Sequence, residues 1–152
     1  MLDLFDEFTA LTSTLNERGV AYAVCGGLAL AVHGLPRATI DIDLLIPADA
    51  LAEVLAIAAE KGYILPAQTM AFANGAIQIH RRSKADPPSG DILSLDLLVV
   101  TPAIASVWDE REELEWQQGK LWTVSRTGLI ALKRLRGSAQ DVADIEGLNR
   151  QA

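Results

Sequence analysis

Asp41 and Asp43 lie two residues apart in the apolar run Ile40-Asp41-Ile42-Asp43-Leu44-Leu45-Ile46. On a strand both side chains point to the same face. Side-by-side carboxylates repel, and a shared proton or a bound cation must relieve them. Asp96 stands alone among Leu93, Leu95, Leu97 and Leu98. A single carboxylate there is costly unless something pairs with it. Asp91 opens the same run, where solvation is easy. Gly26 and Gly27 follow the apolar Tyr22-Ala23-Val24-Cys25 and precede an Ala- and Leu-rich segment. A glycine turn opening a helix can present backbone N–H groups to a phosphate.

These residues need strands and helices to place them. Residues 21–25 read as a short buried strand, 28–33 as a helix, and 33–37 as a loop closed by Gly34 and Pro36. Two of the strongest strands run through Asp41–Asp43 and over 91–100. Amphipathic helices are expected over 2–18, with Leu4, Phe5, Phe8, Leu11 and Leu15 as the apolar row, and over 47–61. Asn74-Gly75 marks a hairpin between strands 68–73 and 76–82, with His80 and Arg82 on a wet face. The Pro-rich stretch 83–90 reads as a loop. A helix over 102–112 precedes a hairpin, 114–117 with 121–125, turning at Gln118-Gly119-Lys120. Helices over 127–136, capped by Ser125 or Thr127, and 139–150, capped by Ser138, end the sequence. Trp116 and Trp122 are read as sheet packing in preference to base stacking. His33 is read as a structural residue at a helix end.

The 152 residues fit one domain, 1–152. Half are apolar, enough for a core. One cysteine excludes an internal disulfide framework and a Cys-cluster metal site. The net charge of -7 argues against strong non-specific binding to nucleic acid. No apolar run is long enough to span a bilayer, and the acidic Met1–Glu7 is unlike a signal peptide. No membrane partner is expected, and a cytoplasmic location is.

The stretch Val24 to Ile46 resembles the active-site motif of the DNA polymerase β-like nucleotidyltransferase superfamily, especially its minimal nucleotidyltransferase and AbiEii-like families. Those chains run strand, Gly-Gly or Gly-Ser, short helix, and strand with Asp-x-Asp. Gly27 stands where many members have Ser, and Gly-Gly is familiar in the AbiEii-like branch. The likeness extends around Asp96 and over Leu129–Leu148.

The resemblance implies an α+β, α/β-like nucleotidyltransferase fold with a mixed sheet flanked by helices. It places Asp96 on a strand beside Asp41 and Asp43. All three would be catalytic and would bind Mg²⁺ or Mn²⁺, which favour oxygen ligands. Two such ions, about 3.5–4 Å apart, would serve phosphoryl transfer. Gly26, Gly27, Arg37, Thr39 and Lys133 become nucleotide-binding candidates. Arg37 has an alternative as an ion pair with the carboxylates, and Lys133 as a surface lysine. Asp141 and Asp144 are expected to hold Lys133, Arg134 or Arg136. The implied activity moves a nucleoside monophosphate from an NTP to a hydroxyl of tRNA, protein or a small molecule. A toxin–antitoxin setting, an antitoxin partner and a homodimer belong to the same implication. The alternative is a non-catalytic module of this fold that binds nucleotide or a partner protein.

Overall fold

The computed structural model describes residues 1–117 and 119–151. Among them lie the strands β1 (Ala23–Cys25), β2 (Asp41–Ile46), β3 (Leu65–Pro66), β4 (Met70–Phe72), β5 (Ile77–Asp86), β6 (Asp91–Val99), β7 (Glu112–Trp116) and β8 (Gly119–Thr123). The helices are α1 (Leu4–Glu17), α2 (Gly26–Val32), α3 (Leu51–Glu60), α4 (Ala105–Asp109), α5 (Arg126–Arg136) and α6 (Ala139–Arg150). The strands form one mixed sheet in the order β3-β5-β6-β2-β1-β8-β7, with β4 also paired to β5.

β2 and β6 run parallel at its centre. Their long apolar runs suit strands covered on both faces. Ile42, Leu44, Leu45 and Ile46 are fully buried. α1 lies over one face, where its Glu7 takes Lys84 of β5 at 2.8 Å. Phe8, Leu11 and Leu15 are its inward row, whereas Phe5, expected in the same row, is exposed in the helix's first turn, and the Asp3 side chain caps its start by accepting from the Asp6 N–H. α5 covers the opposite face, where Leu129 and Leu132 meet Ile77, Ile79 and Leu98 around a cavity.

The mixed sheet flanked by helices is the expected architecture, with several local differences. Gly26 and Gly27 form the first turn of α2 instead of preceding it. β5 continues through Asp86, so only 87–90 turn between β5 and β6. Residues 83–86 read as a loop because Ser83, Lys84 and Asp86 are polar. They remain in the ladder because β6 supplies a partner for each, as in Ser83 opposite Ser94. The expected helix over 102–112 is shorter: a 3₁₀ turn over Pro102–Ile104 leads into α4, and β7 already begins at Glu112. The turn of the last hairpin also falls earlier, since Gly119 and Lys120 belong to β8. Gln118 lies outside the described residues. Trp116 packs edge-on against Phe8, with ring centroids 6.3 Å apart, so packing is its role.

Candidate active site

Register assembles the site. Arg81 on β5 stands opposite Asp96 on β6, Asp96 beside Asp43 on β2, and Asp43 beside Cys25 on β1. Four neighbouring strands thus carry one lateral row of side chains on the α5 face. Asp41 lies two residues along β2 from Asp43 and shares its face. The structure therefore brings Asp41, Asp43 and Asp96 to neighbouring positions on adjacent strands. Among the described residues, no three His, Cys, Asp or Glu side chains gather tightly enough to hold a metal ion as they stand.

Arg81, which the sequence reading overlooked, lies among these carboxylates. Its guanidinium donates to both carboxylate oxygens of Asp96, at 2.7 and 2.9 Å. It also lies 3.8 Å from Asp41 Oδ2. Asp96 is 3% exposed, and this pair is what makes its burial tolerable. The hydrogen bond to Asp96 is also the chief cause holding the Arg81 pKa above its ordinary value. Residue 81 is in phase with the buried Ile77 and Ile79, a signal in the sequence that this arginine faces inward. His80 and Arg82, the residues singled out instead, alternate to the other face.

Asp43 is 9% exposed; its carboxylate accepts no hydrogen bond from another described residue, and it borders a cavity instead of being sealed among protein atoms. Burial, followed by the charges of Asp96 and Asp41, pushes its pKa up to about 7. Asp41 is raised too, by burial first and then by Asp96. Cys25 is buried, and burial raises its thiol well above the ordinary value, so it is a packing residue and not a nucleophile.

The glycines are demanded by these neighbours. Gly26 has φ +66°, and a Cβ there would overlap the Asp43 carboxylate. A Cβ on Gly27 would come within 2.8 Å of Thr39 Oγ1. Thr39 Oγ1 in turn meets the Asp41 N–H at 3.4 Å. Gly26→Ala should therefore push Asp43 aside. Displacements on the order of 1 Å in a reacting constellation cost roughly 100-fold in rate. The strained φ adds about 1–3 kcal/mol of destabilisation. Turnover and a thermal melt of this variant check both effects.

Lys133 and Arg37 have other partners than phosphate. Lys133 is 5% exposed, and its Nζ lies 2.8 Å from Asp144 and 3.6 Å from Asp141. It is thus neither a surface lysine nor a free cation, although it does line the cavity in front of Asp43. Arg37 forms a two-pronged pair with Asp144, at 3.1 and 3.1 Å, and not with Asp41 or Asp43. Arg136 takes Asp141 at 3.2 Å. Asp141 also completes a capping box with Ser138 at the start of α6. The expectation that Asp141 and Asp144 hold Lys133 and Arg136 agrees with these distances, and Arg37 joins them in place of Arg134. His33 meets the Val124 carbonyl at 2.8 Å, a structural contact at the end of α2.

Burial alone would raise Asp144, but hydrogen bonds from Lys133, Arg37 and Gln140 outweigh it, and its pKa lies below the ordinary 3.8. A depressed carboxylate stabilises the fold above its unfolded value, and that contribution is lost as pH falls through the folded one. Asp144→Asn should be clearly less stable than the parent near neutrality. The gap should narrow below the ordinary carboxylate value. Urea unfolding at neutral and strongly acid pH measures it.

The order of this sheet, with its row of carboxylates beneath a glycine-started helix, is the nucleotidyltransferase fold. Solved structures of that fold include the lincosamide antibiotic adenylyltransferase LnuA with lincomycin bound, at 16% identity and TM-score 0.60, covering 95% of both chains. TM1012 of Thermotoga maritima, assigned to the nucleotidyltransferases, matches at 15% identity and TM-score 0.61, covering 97% of this chain and 91% of its own. ANT(2'')-Ia in complex with adenylyl-2''-tobramycin matches at 14% identity and TM-score 0.63, covering 93% and 84%. No family model matches the chain, and neither does any curated protein sequence. No helix among the described residues is long and apolar enough to cross a membrane.

Proposed function

We propose that this protein transfers a nucleoside monophosphate from an NTP to a hydroxyl group of a small molecule. The observation that carries the reading is the buried Asp43 carboxylate. It lines a cavity, accepts no hydrogen bond from the described residues, and stands beside Asp41 and Asp96 on adjacent strands. Such a group calls for a cation. The donor set is all oxygen and carboxylate, which fits Mg²⁺ or Mn²⁺. Asp41, Asp43 and Asp96 are the residues that would hold it. A divalent ion bound there supplies charge stabilisation to the phosphoryl group and its attacking and leaving oxygens. The chain's own part is to position. Gly26 keeps the start of α2 close against Asp43, and Gly27 keeps it against Thr39, where N–H groups of that turn can meet phosphate. Lys133 and Arg136 line the same cavity and contribute positive potential, though both are anchored by Asp141. Arg37 acts one step removed, by fixing Asp144.

Two considerations favour a small-molecule acceptor over tRNA. The chain carries a net charge of -7, which opposes a polyanion. Structures of the same fold hold lincomycin and adenylylated tobramycin. The finer assignment to the minimal or AbiEii-like families carries with it a toxin–antitoxin setting, an antitoxin partner and a homodimer. It rests on the sequence likeness, chiefly Gly26-Gly27 and Asp41-Ile42-Asp43, with the surroundings of Asp96 and Leu129–Leu148 beside them. A second reading, a module that binds nucleotide without transferring it, is favoured by the Arg81 guanidinium lying against Asp96.

The test offers each of the four labelled NTPs, with Mg²⁺, to the wild type and to Asp43→Asn. Lysate small molecules, total tRNA and protein are supplied as separate acceptors. Transfer to small molecules, lost in the variant, supports the reading. Transfer to tRNA or protein replaces the acceptor class. Nucleotide bound and never transferred moves the assignment to the binding module.

A further inference from the structure

We infer that Arg81 occupies the second cation position of this site, so that the nucleotide-free protein binds one divalent ion and not two. The inference rests on the proposed transferase reading and adds the stoichiometry of its metal site.

Both oxygens of Asp96 are engaged by the guanidinium, at 2.7 and 2.9 Å. The same group reaches Asp41 Oδ2 at 3.8 Å, so it bridges two of the three carboxylates. Asp43, the most enclosed carboxylate of β2, is left without a partner. The charges divide in the same way. Three carboxylates less one guanidinium leave two negative charges, which a single divalent ion neutralises. A second ion would have to lie against Asp96, where it would meet Arg81 at contact distance and be repelled. The position is held firmly. Arg81 sits directly opposite Asp96 in the β5–β6 ladder, and a two-pronged arginine–carboxylate pair has fixed geometry. Yet its side chain is 35% exposed, against 4% for Asp96. Arg81 can therefore swing out toward solvent, whereas Asp96 cannot leave. Release of Asp96 is the event that completes the three-carboxylate set, and a polyphosphate arriving at the site is the anion able to draw the guanidinium away.

The experiment counts Mn²⁺ ions bound per chain by electron paramagnetic resonance, with no nucleotide present. Circular dichroism confirms that each variant is folded. The wild type should bind one ion and Arg81→Gln two. Arg81→Lys, which keeps a positive charge at that position, should still bind one ion. Two ions in the wild type overturn the inference, as does a single ion in a folded Arg81→Gln, or two ions in a folded Arg81→Lys. No Mn²⁺ in the wild type is a different failure, since it removes the cation site on which the transferase reading itself stands.

Discussion

Replacing Asp43 with Asn should abolish nucleotide transfer and at the same time make the metal-free protein more stable. The two effects have one cause. Asp43 is 9% exposed, no described hydrogen-bond donor meets it, and burial together with Asp96 and Asp41 resists its ionisation. A carboxylate pressed by burial and by like charges opposes folding, even where it borders a cavity. Asparagine keeps the shape, sheds the charge and stops repelling the neighbouring carboxylates. A gain of about 1–2 kcal/mol is expected for relieving such a site, equivalent to roughly 2–8 °C in Tm for a chain of this size. Loss of a group on which the chemistry depends costs roughly 1,000-fold or more in rate. A residue that only packed would show the opposite pattern, losing stability on substitution and leaving rate untouched in the surviving fraction. Thermal melts in chelator, beside transfer assays in Mg²⁺, separate the two. If Asp43→Asn melts lower than wild type, the account of this residue as a charge disfavoured by burial and by its neighbours is wrong.

The sequence made the carboxylates visible because strand geometry is simple. Asp41 and Asp43 must share a face when their run is a strand, and apolar flanks on both sides of Asp96 mark a central strand. The pairing of β2 with β6 completes the juxtaposition through register alone, Asp43 against Asp96. The glycine pair was also legible, but its reason was not. What makes Gly26 necessary is the Asp43 carboxylate in the place where a Cβ would go, a contact between segments separated by the whole of α2. Cations were the least legible feature. A lysine or arginine reads the same whether it meets a phosphate or a carboxylate, and its partner is chosen by tertiary packing. Arg37 looked like a neighbour of Asp41 and turned instead to Asp144, on a helix near the other end of the sequence. Arg81 was passed over because residues 80–84 are polar throughout, which hid the continuation of the inward Ile77 and Ile79 phase.

Lys133 is where that ambiguity has the largest consequence for stability. Its Nζ is nearly buried between Asp144 and Asp141, which are themselves 3% and 2% exposed. Lys133→Met keeps most of the volume and the apolar stem but removes the positive charge, leaving two buried carboxylates short of a partner. Breaking a buried pair from one side costs about 3–5 kcal/mol. The lower end, about 3 kcal/mol, is expected here, because Arg37 and Gln140 still hold Asp144, and Ser138 and Arg136 still hold Asp141. That corresponds to a fall of roughly 6–12 °C in Tm. Adding Asp144→Asn to Lys133→Met should recover part of the loss, since the second change removes the charge that the first one stranded, and the double-mutant cycle reads the coupling directly. Arg37→Ala should cost less, because its guanidinium is partly solvated and Lys133 still serves Asp144. A lysine whose main business was the triphosphate would behave differently. Its loss would raise the KM for nucleotide and leave the melting curve in place, with no coupling to Asp144. The joint between α5 and α6 is then one wall of the cavity that Asp43 borders, built from Asp141, Asp144 and the three cations that they hold, and in the proposed reaction its contribution would be to keep Leu129, Leu132 and Arg136 lining that cavity.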